Sequence, residues 1–430
     1  MPSHHPGVTL LSEPTLRTLR GRLLCPEQNN ARFELVPDAL IELDAHGLIQ
    51  SVRAAPSDCR IPETHPGAVL LPGFIDTHIH FPQTRMLGSA SGPLLQWLER
   101  SVFPEEARFA ERAYAEQVAR EFCDALIAQG TTCAAIFSSS HFDATDALFA
   151  ELDRRGLRGL TGLTLMDRSA PAMLLQEPAA ALEACSVLID RWHGRDKNRL
   201  RFCVTPRFGL SCTPELLRGA ARLAERHGLW IQTHLAENRE ELHATAAAFP
   251  ASTDYLGVYE DHGLVGNHSL FAHCVWLSEG EWDRMARHDA VVAHCPDSNF
   301  FLNSGCMPLR QAIHRGIRVG LATDMGAGRT FSMRRVAASA YDAALILQAP
   351  VSPEALLWRA TTGGAIALGL GAQVGRIAPG YEADLVALNV PAHVGPEGLF
   401  DALLFQHDAG PVRATYVRGQ RLTPTHRSED

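Results

Sequence analysis

The sequence lacks the features that mark several common classes of protein. Its 39 Lys and Arg residues are outnumbered by 48 Asp and Glu, giving a net charge of -9, so no basic surface is expected for nucleic acid or anionic lipid. No run approaches the ~18 apolar residues that a membrane span needs. The 10 cysteines show neither close pairs nor a repeated spacing, which is unlike a disulfide framework. We therefore expect a cytoplasmic protein with reduced cysteines that acts on a small polar molecule and has no nucleic-acid or membrane partner.

Short motifs of several enzyme classes are missing too. His-Glu-x-x-His, Gly-x-Ser-x-Gly and Gly-x-Gly-x-x-Gly do not occur, which excludes the common protease, esterase and dinucleotide-binding interpretations. The His-x-Glu and Pro-Cys-x-x-Cys strings of the small zinc deaminases are also absent.

Short apolar strands alternate with amphipathic helical stretches in the middle of the chain. The candidate strands are 69–80, 131–137, 159–165, 201–206, 230–235, 269–274, 290–295 and 318–324. One intervening segment, "TPELLRGAARLAERHG", predicts a helix with Thr213 as N-cap, Pro214 at its first position and Gly228 as its stop. Eight such units over roughly 300 residues predict an α/β fold of the (β/α)8 TIM-barrel type, whose chemistry lies at the carboxyl ends of the strands.

Both ends of the chain predict β-structure instead. "DALIELDAHGLIQSV" resembles a hairpin, and 375–390 and 412–422 form further strand-like segments between Gly and Pro turns. We expect residues 1–67 and 371–430 to pair as one small β-sandwich domain, with the barrel as residues 68–370.

Polar residues stand at the ends of most predicted barrel strands. They are His78 and His80 (first strand), Arg207 (fourth), His234 (fifth), His273 (sixth), His294 (seventh) and Asp324 (eighth). Residues i and i+2 of a strand project to one face, so His78 and His80 can bind one ion together. Completed by His234 and Asp324, this set suits a catalytic Zn²⁺ or Fe²⁺ with open positions for water. The residue types leave open whether His273 is a ligand in place of Asp324.

Hydrolysis is the chemistry that such a site favours, because a bound ion lowers the pKa of water from ~15.7 to about 7. Glu237, three residues beyond His234, is the candidate proton carrier, and we favour this role over that of a solvated loop carboxylate in the charged stretch "ENREE". His273 is a candidate for contacting the water or polarising the substrate. For His294 we expect a structural role, bracing its loop by hydrogen bonds.

The strings "PGFIDTHIHFPQ", "TPRFGLSCTPE", "QTHLAEN", "AHCVWLSEGE", "HCPDSNFFLNSG" and "GLATDMGAG", in this order, resemble the amidohydrolase superfamily. The resemblance covers roughly residues 70 to 335, and "GRIAPGYEADLVAL" is similar to the superfamily's return to its small β-domain. It implies hydrolytic deamination of guanine to xanthine and ammonia, in purine catabolism, at one zinc ion per subunit of a homodimer.

The resemblance also implies roles for individual residues. The metal ligands would be His78, His80, His234 and Asp324, and the catalytic residues would be Glu237, His273 and Asp324. The substrate would contact Gln83, Arg207, Phe208, His234, Glu237 and Asp324. On chemical grounds an arginine can donate to the guanine oxygen, an amide can satisfy a mixed donor and acceptor edge, and a phenyl ring can pack on the base.

Some residues depart from the superfamily pattern, and two other functions are open. Gly209 and Leu210 replace a common Ala-Pro, Asp297 stands at a usually small or hydroxyl position, and Arg329 lies in a loop usually rich in Gly, Thr and Ser. Because such loops shape the pocket, an amidohydrolase acting on another purine, pyrimidine or triazine ring is the main alternative. A non-catalytic scaffold is the other, and it would be expected to lack the candidate ligands that this sequence retains.

Overall fold

The protein has two β-sheets, seen in a computed structural model that describes residues 17–27, 29, 31–56, 61, 63–89, 92–406 and 410–425. The strands are β1 Arg17–Pro26, β2 Phe33–Leu43, β3 Ile49–Ala54, β4 Glu63–Pro72, β5 Phe74–His80, β6 Thr131–Phe137, β7 Arg158–Gly162, β8 Thr164–Leu165, β9 Leu200–Pro206, β10 Trp230–Leu235, β11 Ser269–His273, β12 Val291–His294, β13 Arg318–Leu321, β14 Leu385–Asn389, β15 Val412–Val417 and β16 Gln420–Leu422.

Helices connect these strands and cover the parallel sheet. They are α1 Leu94–Trp97, α2 Phe103–Ala107, α3 Arg112–Ala128, α4 Phe142–Arg155, α5 Pro178–Trp192, α6 Arg195–Asn198, α7 Pro214–His227, α8 Arg239–Ala248, α9 Tyr255–Glu260, α10 Glu279–Arg287, α11 Pro296–Phe301, α12 Leu309–His314, α13 Met333–Ile346, α14 Pro353–Arg359, α15 Thr362–Ala367 and α16 Leu399–Phe405. A π-helical turn, Leu98–Val102, joins α1 to α2. The predicted helix after Thr213 is confirmed: Thr213 Oγ1 accepts from the Leu216 amide at 3.3 Å, and Gly228 ends α7 with a φ of +63°.

The parallel strands form a nearly closed barrel, as predicted. Their order is β5, β6, β7, β9, β10, β11, β12 and β13, with β8 as a further strand beside β9. The first and last strands approach each other, since the Asp324 amide donates to the His78 carbonyl at 2.9 Å and Thr77 Oγ1 donates to the Leu321 carbonyl at 2.9 Å. Gly320 permits this approach, because a Cβ there would lie 2.2 Å from the Thr77 side chain. Closure brings the ends of β5 and β13 together.

The single strand predicted over 69–80 is wrong, because the chain divides there between the two sheets. Residues up to Pro72 pair with β1 and β14 in the terminal sheet, whereas β5 begins the barrel at Phe74. Gly73 lies between them and approaches β6 so closely that a Cβ would come within 2.3 Å of Thr132. The sequence conceals this division because both strands are buried and apolar.

Both ends of the chain build the second sheet. Its seven strands follow the order β16, β15, β14, β4, β1, β2 and β3, and its apolar residues form a separate cluster that includes Leu19, Ile41, Leu70 and Tyr416. Because β4 ends at Pro72, we propose that the two domains meet at Gly73 and not at residue 68. The outermost parts of the predicted terminal segments, 1–16 and 426–430, lie outside the described residues.

A buried ion pair joins the two domains. Arg158, on β7, donates to Glu382 at 2.6 Å and to Asp384 at 3.1 Å, just before β14. Only 1% of the Arg158 side chain is exposed, so its charge depends on these two carboxylates for compensation.

One segment reaches the length and mean hydropathy of a membrane span, although charged residues interrupt its apolar ones. It is Ala172–Trp192, with a hydropathy of 1.4, and most of it is α5. In the structure α5 is a barrel helix that packs against α7, where a Cβ at Gly219 would lie 2.4 Å from the Leu182 side chain.

Nine cysteines in the described part of the chain are free thiols.

Candidate active site

Three histidines and one aspartate converge at the carboxyl ends of the barrel strands. His80 Nε2 lies 3.2 Å from His78 Nε2 and 3.2 Å from His234 Nε2. Asp324 Oδ1 lies 3.3 Å from Nε2 of both His78 and His80. The structure thus brings together all four residues predicted as metal ligands, although they come from strands far apart in the sequence.

The chemistry of this donor set fits a metal ion. His234 Nδ1 hydrogen-bonds the Arg207 carbonyl at 2.6 Å, which places its proton there and turns the Nε2 lone pair toward the other rings. Burial lowers the pKa of His78 to about 4, and burial also lowers the pKa of His234, so both imidazoles are neutral at neutral pH. Neutral imidazole nitrogens and a carboxylate oxygen that face one point are the ligand atoms that a divalent cation binds in proteins.

Asp324 is ionised in this setting. Burial alone would raise the pKa of Asp324, but hydrogen bonds from His78 and His80 lower it well below its usual value. The backbone of Asp324 has a φ of +45°, an unusual conformation for a residue with a side chain.

Asp76, which the sequence analysis did not single out, holds this turn. Its buried carboxylate accepts from the Thr323 amide at 3.0 Å, the Thr323 hydroxyl at 2.5 Å and the His78 amide at 3.2 Å. It therefore fixes the backbone next to two candidate ligands. The sequence contained one sign of this role: Asp76 lies in an apolar strand, two residues before His78, and a buried carboxylate requires compensating donors.

Glu237 and His273 lie next to the candidate ligands. Glu237 is 3% exposed, and its Oε1 accepts from the Ser304 hydroxyl at 3.0 Å while its Oε2 lies 3.5 Å from His273 Nε2. Burial raises the pKa of Glu237 to about 7. The interpretation of Glu237 as a solvated loop carboxylate is therefore wrong, because Glu237 is buried in the connection between β10 and α8.

His273 faces two carboxylates. Its Nδ1 is 2.9 Å from the side-chain oxygen Oδ1 of Asn299, and its Nε2 is 3.7 Å from Asp324 Oδ2. Burial disfavours its charge, but Glu237 and Asp324 raise the pKa of His273 above its usual value. His273 also belongs to a set of four possible metal-binding residues, with His78, His234 and Asp324, whose ligand atoms lie within 4.8 Å of one another.

A cavity opens from the cluster and is lined in part by His80, His234 and Asp324. Gln83, on the helical turn Phe81–Met86, lines it together with Arg207 and Phe208, which directly follow β9. Its remaining wall is largely apolar and includes Leu94, Trp97, Leu98, Leu302 and Ala327. The three residues predicted to hold a ring thus share one chamber with the candidate ligands.

His294 ends β12, and the unusual residues Asp297 and Arg329 follow β12 and β13. The expected hydrogen bonds of His294 are wrong: its ring is buried, and neither nitrogen has a partner among the described residues. Burial lowers the pKa of His294 to about 3, so it packs as a neutral ring.

The unusual Asp297 and Arg329 compensate each other's charge. Asp297 accepts from the Arg329 guanidinium at 2.6 Å and from the Arg329 backbone amide at 2.7 Å. This pair anchors the loop after Asp324.

Comparison with known proteins identifies close relatives. The model of the amidohydrolase family matches residues 69–422. Guanine deaminase of Escherichia coli is 35% identical over 431 residues, which cover 95% of this chain and 98% of that protein. A probable guanine deaminase of Deinococcus radiodurans is 43% identical over 386 residues, or 86% and 87% of the two chains. The crystal structure of guanine deaminase from C. acetobutylicum with bound guanine is 30% identical, covers 95% of this chain and all of that one, and has a TM-score of 0.88.

Proposed function

Because this chain belongs to the amidohydrolase family, we propose that its barrel cavity is the site at which it hydrolyses guanine to xanthine and ammonia. The enzyme is a hydrolase of C–N bonds in cyclic amidines, as its similarity to guanine deaminases at 35% and 43% identity indicates. The observation that carries the assignment of the site is the common chamber, which is lined by ligand-type residues, by the buried carboxylate of Glu237, and by Gln83 and Arg207.

His78, His80, His234 and Asp324 are the proposed ligands, with His273 contacting water and substrate. A bound divalent cation would lower the pKa of a coordinated water to about 7, so that the water loses a proton at neutral pH. Zn²⁺, one per subunit, is the proposed metal, and Fe²⁺ suits the same donors.

Glu237 is the proposed proton carrier. Its pKa of about 7 allows the carboxylate both to accept a proton and to give it up near neutral pH. Its position between Ser304 and His273 holds it at the ligand cluster. We assign it the transfer of a proton from water to the amino nitrogen, which leaves as ammonia while the carbon keeps the water oxygen.

Arg207, Gln83 and Phe208 are the proposed contacts to the base. Arg207 donates hydrogen bonds to the guanine oxygen, and the Gln83 amide contacts the same polar edge. Phe208, only 5% exposed, supplies an apolar surface for the ring. His234, Glu237 and Asp324 would meet the reacting carbon and its amino group.

Metal analysis of the purified enzyme, combined with ammonia release from purines, pyrimidines and triazines, tests this proposal. We expect one zinc per chain and ammonia from guanine. Replacement of His227, an exposed residue at the end of α7, by alanine is the control for the ligand histidines and should leave both readings unchanged. Ammonia from another ring, with none from guanine, would contradict the proposed substrate.

We also propose that the enzyme is a cytoplasmic homodimer, in line with the family resemblance and its free thiols. Sedimentation velocity should give the mass of two chains at micromolar concentration. A species of one chain's mass, 46.9 kDa, would contradict the dimer.

A further inference from the structure

A single buried carboxylate contacts both Gln83 and Arg207, the two polar residues proposed to bind the base. Glu106, on the short helix α2, is 4% exposed. Its Oε2 accepts from Arg207 Nη1 at 2.5 Å, and its Oε1 accepts from Gln83 Nε2 at 3.3 Å. Glu106 therefore connects two side chains that come from different parts of the barrel rim.

The contact between Gln83 and Glu106 determines which way the Gln83 amide points. An ionised carboxylate can only accept, so the amide NH₂ has to face Glu106 and the amide oxygen has to point elsewhere. That oxygen is buried and has no hydrogen-bond partner in the described part of the chain. Because an unpaired buried acceptor is costly, an N–H donor on a ligand in the cavity that Gln83 lines would stabilise this oxygen.

Gly326 leaves room for this orientation. Its φ is +125°, and a Cβ there would lie 2.0 Å from the Gln83 amide oxygen. Gly326 belongs to the loop that Arg329 and Asp297 anchor.

The contact between Arg207 and Glu106 fixes the guanidinium group of Arg207. Its guanidinium carbon lies 5.5 Å from the ring centre of Phe103, which is also on α2, and its Nη1 lies 3.8 Å from Met166 Sδ. Nη1 serves the pair with Glu106, and the guanidinium has further N–H groups that can donate to a ligand. α2 thus supplies both the charge and the ring that hold Arg207.

We propose that Glu106 is a positioning residue that makes the cavity selective for a lactam edge, that is, a ring C=O next to an N–H. Held by Glu106, Arg207 offers a donor and Gln83 offers an acceptor, which is the complement of that edge in guanine. An amidine edge has an amino group next to an unprotonated ring nitrogen. Its amino group would face the Arg207 donors and its ring nitrogen would face the Gln83 oxygen, so that neither pair could form a hydrogen bond. This inference rests on the proposed function.

Glu106→Gln tests the inference, with guanine compared against 2,6-diaminopurine. Both purines carry the same 2-amino leaving group, but the second has an amidine edge in place of the lactam. A glutamine has one acceptor oxygen and one NH₂ group, so it cannot accept from Arg207 and Gln83 as a carboxylate does. We expect the KM for guanine to rise roughly 10- to 100-fold, as for loss of a charge-assisted hydrogen bond, with kcat within about threefold. The preference for guanine in kcat/KM should fall by at least about tenfold.

Glu105→Gln is the matched control. Glu105 is the preceding residue of α2, but it bonds Arg108 and Tyr114 and does not line the cavity. Its KM values and selectivity should equal those of the wild type. Glu106→Asp keeps the charge but is one methylene shorter, so it cannot span both partners. If Glu106→Gln does not accumulate as folded protein, Glu106→Asp should show the same loss of preference.

The outcomes separate this inference from the proposed function. Wild-type enzyme that releases no ammonia from guanine would overturn the proposed function and the inference with it. Guanine turnover by the wild type, with unchanged KM and selectivity in both Glu106 variants, would overturn the inference alone. An equal fall in kcat for the two purines at constant KM would also overturn it, since that result indicates a general loss of active enzyme.

Discussion

Glu237→Gln should separate proton transfer from folding and metal binding. Glutamine has nearly the same shape, and its amide oxygen can accept the Ser304 hydroxyl as Glu237 Oε1 does now at 3.0 Å. It cannot accept a proton from water or deliver one to a leaving nitrogen. Because general acid–base catalysis contributes about 10²- to 10⁴-fold, we expect kcat for guanine to fall by that factor.

The same substitution should not weaken the fold. Burial raises the pKa of Glu237 from 4.5 to about 7, so the native protein binds a proton that the unfolded chain releases in this range. The charged carboxylate thus lowers stability as the pH rises from 4.5 to 7, by up to about 3 kcal/mol at 1.36 kcal/mol per pKa unit. Glutamine removes this effect, and the free energy of unfolding at pH 8 should be at least that of the wild type.

Ammonia release at saturating guanine, metal content per chain and urea unfolding are the three measurements. Glu240→Gln is the control, because Glu240 is an exposed carboxylate of the same charged stretch, in the first turn of α8. It should retain full turnover. Undiminished turnover in Glu237→Gln would refute the role of proton carrier, and loss of the metal would show that Glu237 is needed for binding it.

Four further substitutions test the ligands, the ring contacts and the domain interface. His78→Ala and Asp324→Ala should each abolish metal retention and activity, and a variant with full metal content and rate would disprove the ligand assignment. Arg207→Ala should raise the KM for guanine roughly 10- to 100-fold with the metal site still filled, so an unchanged KM would count against its contact with the base. Arg158→Met leaves the buried Asp384 carboxylate without its ion-pair partner, while Glu382 keeps Arg418, and should cost about 3–5 kcal/mol in urea unfolding. Arg154→Met is the control, because the Arg154 side chain is half exposed and its partner Glu151 keeps Arg155, so it should cost less than about 1 kcal/mol.

Much of the candidate site follows from strand geometry alone. His78 and His80 are two residues apart in an apolar strand, and His234 and Asp324 end other apolar segments. The alternation of strands and helices predicted that these ends would meet, and in the structure their side chains lie 3.2–3.3 Å apart. Gln83, Arg207 and Phe208 were different, because only the family resemblance distinguished them from ordinary loop residues.

Neither the role of Glu106 nor the division of the chain at Gly73 could be predicted from the sequence pattern. Glu106 lies in "FPEEARFAER", where several acidic residues at helical spacing look like a solvated surface, and only the tertiary fold shows which of them turns inward. The division of 69–80 at Gly73 was also hidden, because periodicity reports that a strand is buried but not which sheet it joins.

The pairing of β4 with β14 has a consequence for biosynthesis. These neighbours are hydrogen-bonded from Ala68↔Asn389 to Pro72↔Leu385, yet the ribosome makes almost the entire barrel between them. Throughout that interval β4 has an open edge of backbone groups and an apolar surface, which is the type of segment that nascent-chain chaperones shield. Synthesis of β14, and not emergence of the barrel, is therefore the step that lets this edge close.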